Sequence, residues 1–277
     1  MRLPESSTAH GAAGLAAILA EPARAVVAVD YDGTLAPIVE QPAEAFPHPD
    51  AVGVLGRLAG VVGAVAVVTG RPVGDVLEMG GMRGAAGLDR LVILGQYGLE
   101  RYDADSGKRS VPELLPGVAL VRDRLPTLLA DFGVPPEQAV EDKGCALVVH
   151  TRRLDQPEAK LELLRGPLTA LAAEAGLEAA PGRLVLELRP PGVDKGSALT
   201  AFVREHDAHA VLFAGDDVGD LPAYDAVERL RVDGVPGVTV CSSSPEVSLL
   251  RDRADIVVDG PAGVVRLLAA LTAAIGS

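Results

Sequence analysis

Aromatic residues are scarce in this chain, with four Phe, four Tyr and no Trp among 277 residues. Its core must therefore be assembled from Ala, Val and Leu, which together with 31 Gly favours helices packed closely on a sheet. Cysteine is almost missing as well. Cys145 and Cys241 stand far apart with no metal-ligand spacing, which argues against a disulfide framework or a zinc site and fits a reduced, cytoplasmic setting. Basic residues are outnumbered, 25 Lys and Arg against 38 Asp and Glu, and the formal net charge is -13. That balance lacks the basic face nucleic-acid binding needs, so an anionic small molecule would have to find its own local cations. No apolar run reaches membrane-spanning length without charge or proline, so no membrane partner is expected. The run from Gly11 to Ala20 has some character of a signal peptide, but Glu5 sits in a weakly basic leader, and the better expectation is a first helix capped by Ser6, Ser7 or Thr8.

What is present is ordered around one stretch. Ala25-Val26-Val27-Ala28-Val29 reads as a buried parallel strand, and Asp30-Tyr31-Asp32-Gly33-Thr34-Leu35 follows at its carboxyl end, where open α/β sheets keep their ligands. In an extended segment residues i and i+2 project to the same side, so Asp30 and Asp32 are expected to face one pocket. Two carboxylates that close require a cation or a shared proton between them. A proline-rich loop from Ala36 to Pro49 comes next, then a helix from about Asp50 to Ala59, a strand Val65–Val68, a helix Val73–Met79 and a strand Leu91–Leu94. Near Tyr102 to Ser110 the pattern changes to a polar hairpin or hinge, and a module of another style begins, with helices Pro116–Phe132 and Gln156–Ala175 and strands Cys145–Thr151 and Arg183–Leu188. Pro190-Pro191-Gly192 offers a second hinge. The first style then returns, with strands Val211–Ala214, Gly237–Val240 and Asp255–Val258 and a terminal helix Ala262–Ile275. The length, above that of a typical single domain, agrees with an α/β core over residues 1–110 and 190–277 and an inserted small α/β cap over 111–189.

Candidate chemistry gathers at strand ends. Thr69-Gly70-Arg71 combines a hydroxyl, a close-approach glycine and a guanidinium, which suits phosphate oxygens; taken alone it would equally serve as a helix cap beside a solvated Arg. Asp194-Lys195-Gly196 opens a helix running from about Ser197 to Glu205. A lysine at that position opposes the helix dipole and suits an anion. Gly215-Asp216-Asp217-Val218-Gly219-Asp220 supplies hard oxygen ligands which, beside Asp30 and Asp32, describe a Mg²⁺ site; in isolation it is an acidic turn.

Together, Asp-x-Asp-Gly-Thr, the strand-end Thr, the Lys before a helix and Gly-Asp-Asp-x-x-Asp resemble the haloacid dehalogenase-like phosphatases. The insert narrows the likeness. Val140-Glu141-Asp142-Lys143-Gly144, His150-Thr151-Arg152 and Glu187-Leu188-Arg189-Pro190 resemble the trehalose-6-phosphate phosphatase family, and the similarity runs from about Val26 to Val227. The chain departs from that pattern at Gln96-Tyr97-Gly98, where many relatives carry His-Gly, and at Gly219, where Thr is more usual.

The resemblance implies a Rossmann-like, haloacid dehalogenase-like core with a cap. It implies a Mg²⁺-dependent hydrolysis of trehalose 6-phosphate to trehalose and phosphate, the last step of trehalose biosynthesis, through an aspartyl-phosphate on Asp30. Asp32 would be the acid and base, which asks for a pKa above the usual ~3.9. Thr69, Gly70, Arg71 and Lys195 would hold the phosphate. Mg²⁺ would be held by Asp30, the Asp32 carbonyl and Asp216, supported by Asp217 and Asp220. Glu141, Lys143, Arg152 and Glu187 would take the sugar hydroxyls; without the resemblance, Glu141 and Lys143 read as an ordinary surface ion pair. The partner would be a small sugar phosphate, with a functional link to a trehalose-6-phosphate synthase, and the chain a monomer. Two other readings stand beside this one: a phosphatase of another sugar or glycosyl-polyol phosphate, and a non-catalytic sugar-phosphate-binding regulatory domain.

Overall fold

A computed structural model of the chain describes residues 3–39, 41–113, 115–182, 184–243 and 248–276. In chain order the elements are α1 (Ala9–Ala20), β1 (Ala25–Val29), α2 (Ala51–Ala59), β2 (Ala64–Val68), α3 (Val73–Met79), β3 (Leu91–Gly95), β4 (Glu100–Asp103) and β5 (Lys108–Ser110). There follow α4 (Pro116–Asp131), a single turn α5 (Pro136–Ala139), β6 (Val140–Asp142), β7 (Leu147–His150), α6 (Pro157–Glu174), β8 (Glu178–Gly182) and β9 (Val185–Arg189). The chain closes with α7 (Lys195–Glu205), β10 (Ala210–Gly215), α8 (Leu221–Val232), β11 (Gly237–Ser243), α9 (Ser248–Arg253), β12 (Ile256–Asp259) and α10 (Gly260–Ile275). Two compact units result, one formed by Met1–Ser110 with Asp194–Ser277 and the other by Val111–Val193.

The larger unit holds an eight-stranded sheet in the order β12-β11-β10-β1-β2-β3-β4-β5. Its strands from β12 through β3 run parallel, while β4 and β5 add an antiparallel hairpin at one edge. The expected polar segment after Tyr102 is thus a hairpin of the sheet. Because the central parallel strands β1, β2, β3 and β10 are buried throughout, their sequences carry no polar alternation. Along β1, Ala25, Val27 and Val29 join one apolar cluster while Val26 and Ala28 join another. Small β-branched residues make this double packing possible without aromatics, since a sheet covered twice leaves no solvated face for polar side chains. Thr8 caps α1, its hydroxyl accepting the Gly11 N–H at 3.0 Å. Among the described residues, no helix is long and apolar enough to cross a membrane.

The smaller unit carries an antiparallel sheet in the order β6-β7-β9-β8. Leu147, Val149, Leu186 and Leu188 enter one core with Val118, Val121, Leu125, Leu164 and Leu168 of α4 and α6. The intervening residues of β7 and β9, Val148 and Glu187, therefore lie on the opposite face of this sheet. Arg183, where a strand was expected to begin, lies outside the described residues; the strand itself starts at Val185.

Candidate active site

The order of strands reverses direction at β1. From β1 the chain steps through β2 to β3 on one side, and from β10 through β11 to β12 on the other. The crevice beyond such a switch point is where an open sheet offers backbone ends and side chains to a ligand. Asp30 and Asp216 are the first residues after β1 and β10, two paired parallel strands whose register sets Asp30 level with Gly215, one residue before Asp216. The Asp30 N–H donates to the Ala214 carbonyl at 2.8 Å, which extends that pairing by one residue. Gly33 completes the fit. Its φ is +71°, and a Cβ there would fall 2.0 Å from an Asp216 carboxylate oxygen, so a side chain at this position would displace the acid.

Asp30, Asp216 and Asp220 form one buried group whose carboxylate oxygens lie within 4.8 Å of one another. Lys195, the first residue of α7, sends its ammonium between them, 2.7 Å from Asp30 Oδ1 and 2.7 Å from Asp220 Oδ1. Asp194 caps the helix, its carboxylate accepting the Ser197 N–H at 2.7 Å, so the unfavourable placement of Lys195 is supported by a good cap. The other oxygen of Asp220 accepts the N–H groups of Asp216 and Asp217 at 2.9 and 3.2 Å. Asp217 itself is exposed and accepts the Gly219 N–H at 2.8 Å, shaping the loop without joining the cluster.

Three carboxylates against one ammonium cannot all stay charged in a buried site. Burial pushes Asp30 well above the ordinary carboxylate value against the opposing pull of Lys195. It pushes Asp216 up to about 8, helped by the charges of Asp220 and Asp217. Burial also works to lower Lys195, but the charges of Asp220 and Asp30 outweigh it and hold the ammonium well above its usual range. A divalent cation with a preference for hard oxygen would resolve this excess, so the donor set fits Mg²⁺ on its own chemistry.

Asp32 takes a different course from Asp30. The backbone leaves the strand at once: the Leu35 and Ala36 N–H groups both donate to the Tyr31 carbonyl at 2.9 Å, so the extended alternation does not continue. The Asp32 carboxylate is gripped by Arg71 in a bidentate pair, Nε to Oδ2 at 2.6 Å and Nη2 to Oδ1 at 2.7 Å. Arg71, expected on a phosphate, is thereby committed to Asp32, and its guanidinium carbon lies 5.7 Å from the centre of the Tyr31 ring. Tyr31 is buried and donates to the Ala45 carbonyl at 2.9 Å, which pins the proline-rich loop. Thr69, the first residue after β2, is buried, and its hydroxyl accepts the Arg71 N–H at 3.2 Å.

The insert gathers a separate polar face. Lys143 reaches Glu187 at 3.3 Å, and Arg189 stands 3.9 Å from the other oxygen of Glu187 and 3.0 Å from Glu178. Glu141 meets His150 at 2.7 Å. Arg152 is exposed in the turn after β7. Among the partners that sequence reasoning did not single out are His150, whose only signal was its place before Thr151-Arg152, and Ser242. Ser242 is fully buried on β11 and donates to the Gly33 carbonyl at 2.7 Å, fixing the loop that carries Asp32; its position near a strand end was the available clue.

With this geometry in view, the relatives are informative. The family model for trehalose-phosphatase matches residues 28–255. The chain is 33% identical over 248 residues to the trehalose-phosphate phosphatase of Mycobacterium avium, covering 85% of this chain and 59% of that protein, so it spans little more than half of that relative's length. It is 32% identical over 212 residues to the trehalose-6-phosphate phosphatase of Escherichia coli K12, covering 73% of each. In fold it is similar to the C-terminal domain of a Candida albicans trehalose-6-phosphate phosphatase, with a TM-score of 0.74 at 19% identity over 99% of both chains. The match extends across both units and includes every strand end described above, and the chain belongs to the trehalose-phosphatase family.

Proposed function

We propose that the chain is a Mg²⁺-dependent phosphatase that hydrolyses trehalose 6-phosphate to trehalose and phosphate through an aspartyl-phosphate on Asp30. The observation that carries this reading is the buried group of Asp30, Asp216 and Asp220 around Lys195 at the switch point of the sheet, in a member of this family. A non-catalytic binding domain has no use for so unfavourable an arrangement of charge.

Asp30 and Asp216, with the Asp32 carbonyl, would hold the Mg²⁺. Once bound, the ion supplies charge for the phosphoryl oxygens and lets the carboxylates ionise together. A carboxylate oxygen of Asp30 attacks phosphorus, and the phosphorus–oxygen bond to the sugar breaks as its electron pair leaves on the sugar oxygen. Asp32 gives that oxygen a proton. Water then attacks the phosphorus, Asp32 takes the water's proton, and the bond to Asp30 breaks, releasing phosphate. Lys195 and the Thr69 hydroxyl neutralise the phosphoryl oxygens as charge moves onto them. Arg71 orients Asp32 through its two hydrogen bonds, and one of them must open for Asp32 to take up the proton that it gives to the sugar oxygen. Asp220 locks Lys195 and the Asp216 backbone in place. In the insert, Glu141, Lys143, Arg152 and Glu187 offer acceptors and donors for sugar hydroxyls.

The test is phosphate release across a panel of trehalose 6-phosphate, glucose 6-phosphate, a glycosyl-glycerol phosphate and a small aryl phosphate, with Mg²⁺ and with chelator. Trehalose 6-phosphate should show the highest kcat/KM by at least about ten-fold, the margin that a few well-placed hydroxyl contacts provide. A higher value for another sugar phosphate would reassign the substrate, and full turnover in chelator would remove the metal.

A further inference from the structure

Beyond β3 the chain turns through Gln96, Tyr97 and Gly98 and returns as β4, so that Glu100 pairs with Gly95 at the end of β3. Glu100 is buried, and its carboxylate serves two loops. One oxygen accepts the Gln96 side-chain amide at 2.8 Å, and the other accepts the Val73 N–H at 2.8 Å and Arg109 at 3.1 Å. Val73 opens α3, and Pro72, at the cap position, has no side-chain acceptor to offer, so the helix takes an acceptor from β4.

The partners of Glu100 flank Arg71. Val73 follows it closely in the chain, and the Gln96 backbone N–H donates to the Arg71 carbonyl at 2.9 Å, while the Tyr97 N–H donates to the Thr69 carbonyl at the same distance. A Cβ on Gly95 would lie 2.8 Å from the Val73 nitrogen and 2.9 Å from the Arg71 carbonyl oxygen. The end of β3 therefore rests directly on this loop. Gln96 has a φ of 46°, a left-handed conformation that strains a residue with a side chain and persists only where the surroundings impose it. A buried carboxylate and a strained turn are poor choices for stability alone. Both hold one stretch of backbone, from Thr69 to Val73, and the side chain that stretch presents to Asp32 is the Arg71 guanidinium, on both carboxylate oxygens.

We infer, on the reading of Asp32 as acid and base, that Glu100 is a positioning residue: it fixes the backbone of Arg71 so that the guanidinium meets both oxygens of Asp32. The planar fork of an arginine has to arrive in one orientation to make two bonds, so a small shift of its backbone is felt at the acid. The quality that matters in Glu100 is reach. Its carboxylate spans the Val73 N–H and the Gln96 amide together, which a side chain one methylene shorter does not.

The test measures Tm and steady-state phosphate release from trehalose 6-phosphate for wild type, Glu100→Gln, Glu100→Asp, Gly95→Ala and Arg71→Ala, and for Glu100→Asp and Gly95→Ala each combined with Arg71→Ala, all assayed below their Tm. Glu100→Gln has a planar end of equal length and can meet both partners once the Gln96 amide turns over, so its kcat should stay within about two-fold of wild type. Glu100→Asp keeps the carboxylate and loses the reach. Its kcat should fall about ten-fold with KM within about two-fold, because the defect lies in orientation and not in binding. Gly95→Ala disturbs the same loop with Glu100 intact and should repeat that loss, and it carries the comparison should Glu100→Asp fail to fold. Neither change should lower kcat further in the Arg71→Ala background, since the effect passes through the guanidinium. Losses that persist undiminished without Arg71, Glu100→Asp at wild-type turnover, or Glu100→Gln as impaired as Glu100→Asp overturn the role of Glu100 and leave the phosphatase assignment standing. A wild type that releases no phosphate, or Arg71→Ala at full kcat, overturns the underlying reading of the site and the role of Glu100 with it.

Discussion

Asp30 and Glu187 are both carboxylates less than a tenth exposed, and each faces an ammonium, Lys195 at 2.7 Å and Lys143 at 3.3 Å. Their neighbours make them opposites. Around Asp30 stand two further buried carboxylates, so the group carries an excess of negative charge with a single ammonium inside it. Around Glu187 stand Lys143 and Arg189, and Arg189 is also shared with Glu178. The first cluster is incomplete without something cationic, and that is a poor way to build a stable core and a good way to hold a metal ion and a phosphate. The second is satisfied within itself. Its partially solvated pairs can trade one hydrogen bond for another at little loss, which is what recognition of sugar hydroxyls requires.

The sharpest way to break this contrast is at Asp30. Asp30→Asn removes the proposed nucleophile and one carboxylate from the overcharged group, so phosphate release should fall by at least about 10³-fold while the Tm stays equal or rises. Turnover close to wild type would remove Asp30 from the mechanism. A lowered Tm would show that the cluster is structural and that its charge is balanced by means other than a bound cation.

Glu187→Ala probes the other side, with a smaller effect of a different kind. It should raise KM for trehalose 6-phosphate by roughly ten-fold or more while leaving a small aryl phosphate within about two-fold, if the sugar binds at that face as proposed. A kcat loss shared by both esters would mean that the insert acts on the chemistry, and the distinction between a reacting cluster and a recognising one would fall.

The same contrast explains which parts of the structure the amino-acid pattern announces. The parallel strands are runs of Ala, Val and Leu bounded by Asp, Thr or Gly, and β1 and α3 occupy the residues that pattern picks out. What escapes lies at sheet margins. The strand β8, Glu-Ala-Ala-Pro-Gly, and the three-residue β6 are the two edges of the smaller sheet, and an edge tolerates proline and weak strand formers because half its backbone groups pair with nothing in the sheet. At the candidate site, residue types and strand-end positions identify Asp30, Thr69, Lys195 and Asp216 as neighbours. They do not reveal that Arg71 turns onto Asp32. That pairing depends on how the backbone leaves β1, with Gly33 at positive φ, and periodicity is silent once the strand ends.

The finest test of the contrast is the stability of the metal-free protein against pH. Burial raises Asp216 from an ordinary value of 3.8 to about 8, so the folded chain keeps a proton there that the unfolded chain has already lost. Below about pH 4 both states are protonated and the contribution is constant; between there and about pH 8 only the folded state holds the proton, so folding loses free energy as pH rises. Above that range the folded carboxyl ionises too and the loss levels off. Asp216→Asn has no proton to lose. In chelator, the Tm of wild type should therefore fall more steeply from pH 5 to pH 8 than that of Asp216→Asn, with a gap of several degrees at pH 8. Mg²⁺ should close the gap by raising the wild-type Tm alone, because a bound cation favours the ionised carboxylate. Parallel pH profiles for the two proteins in chelator would mean that Asp216 is ionised without a metal, and the electrostatic incompleteness that separates this cluster from the one around Glu187 would be gone.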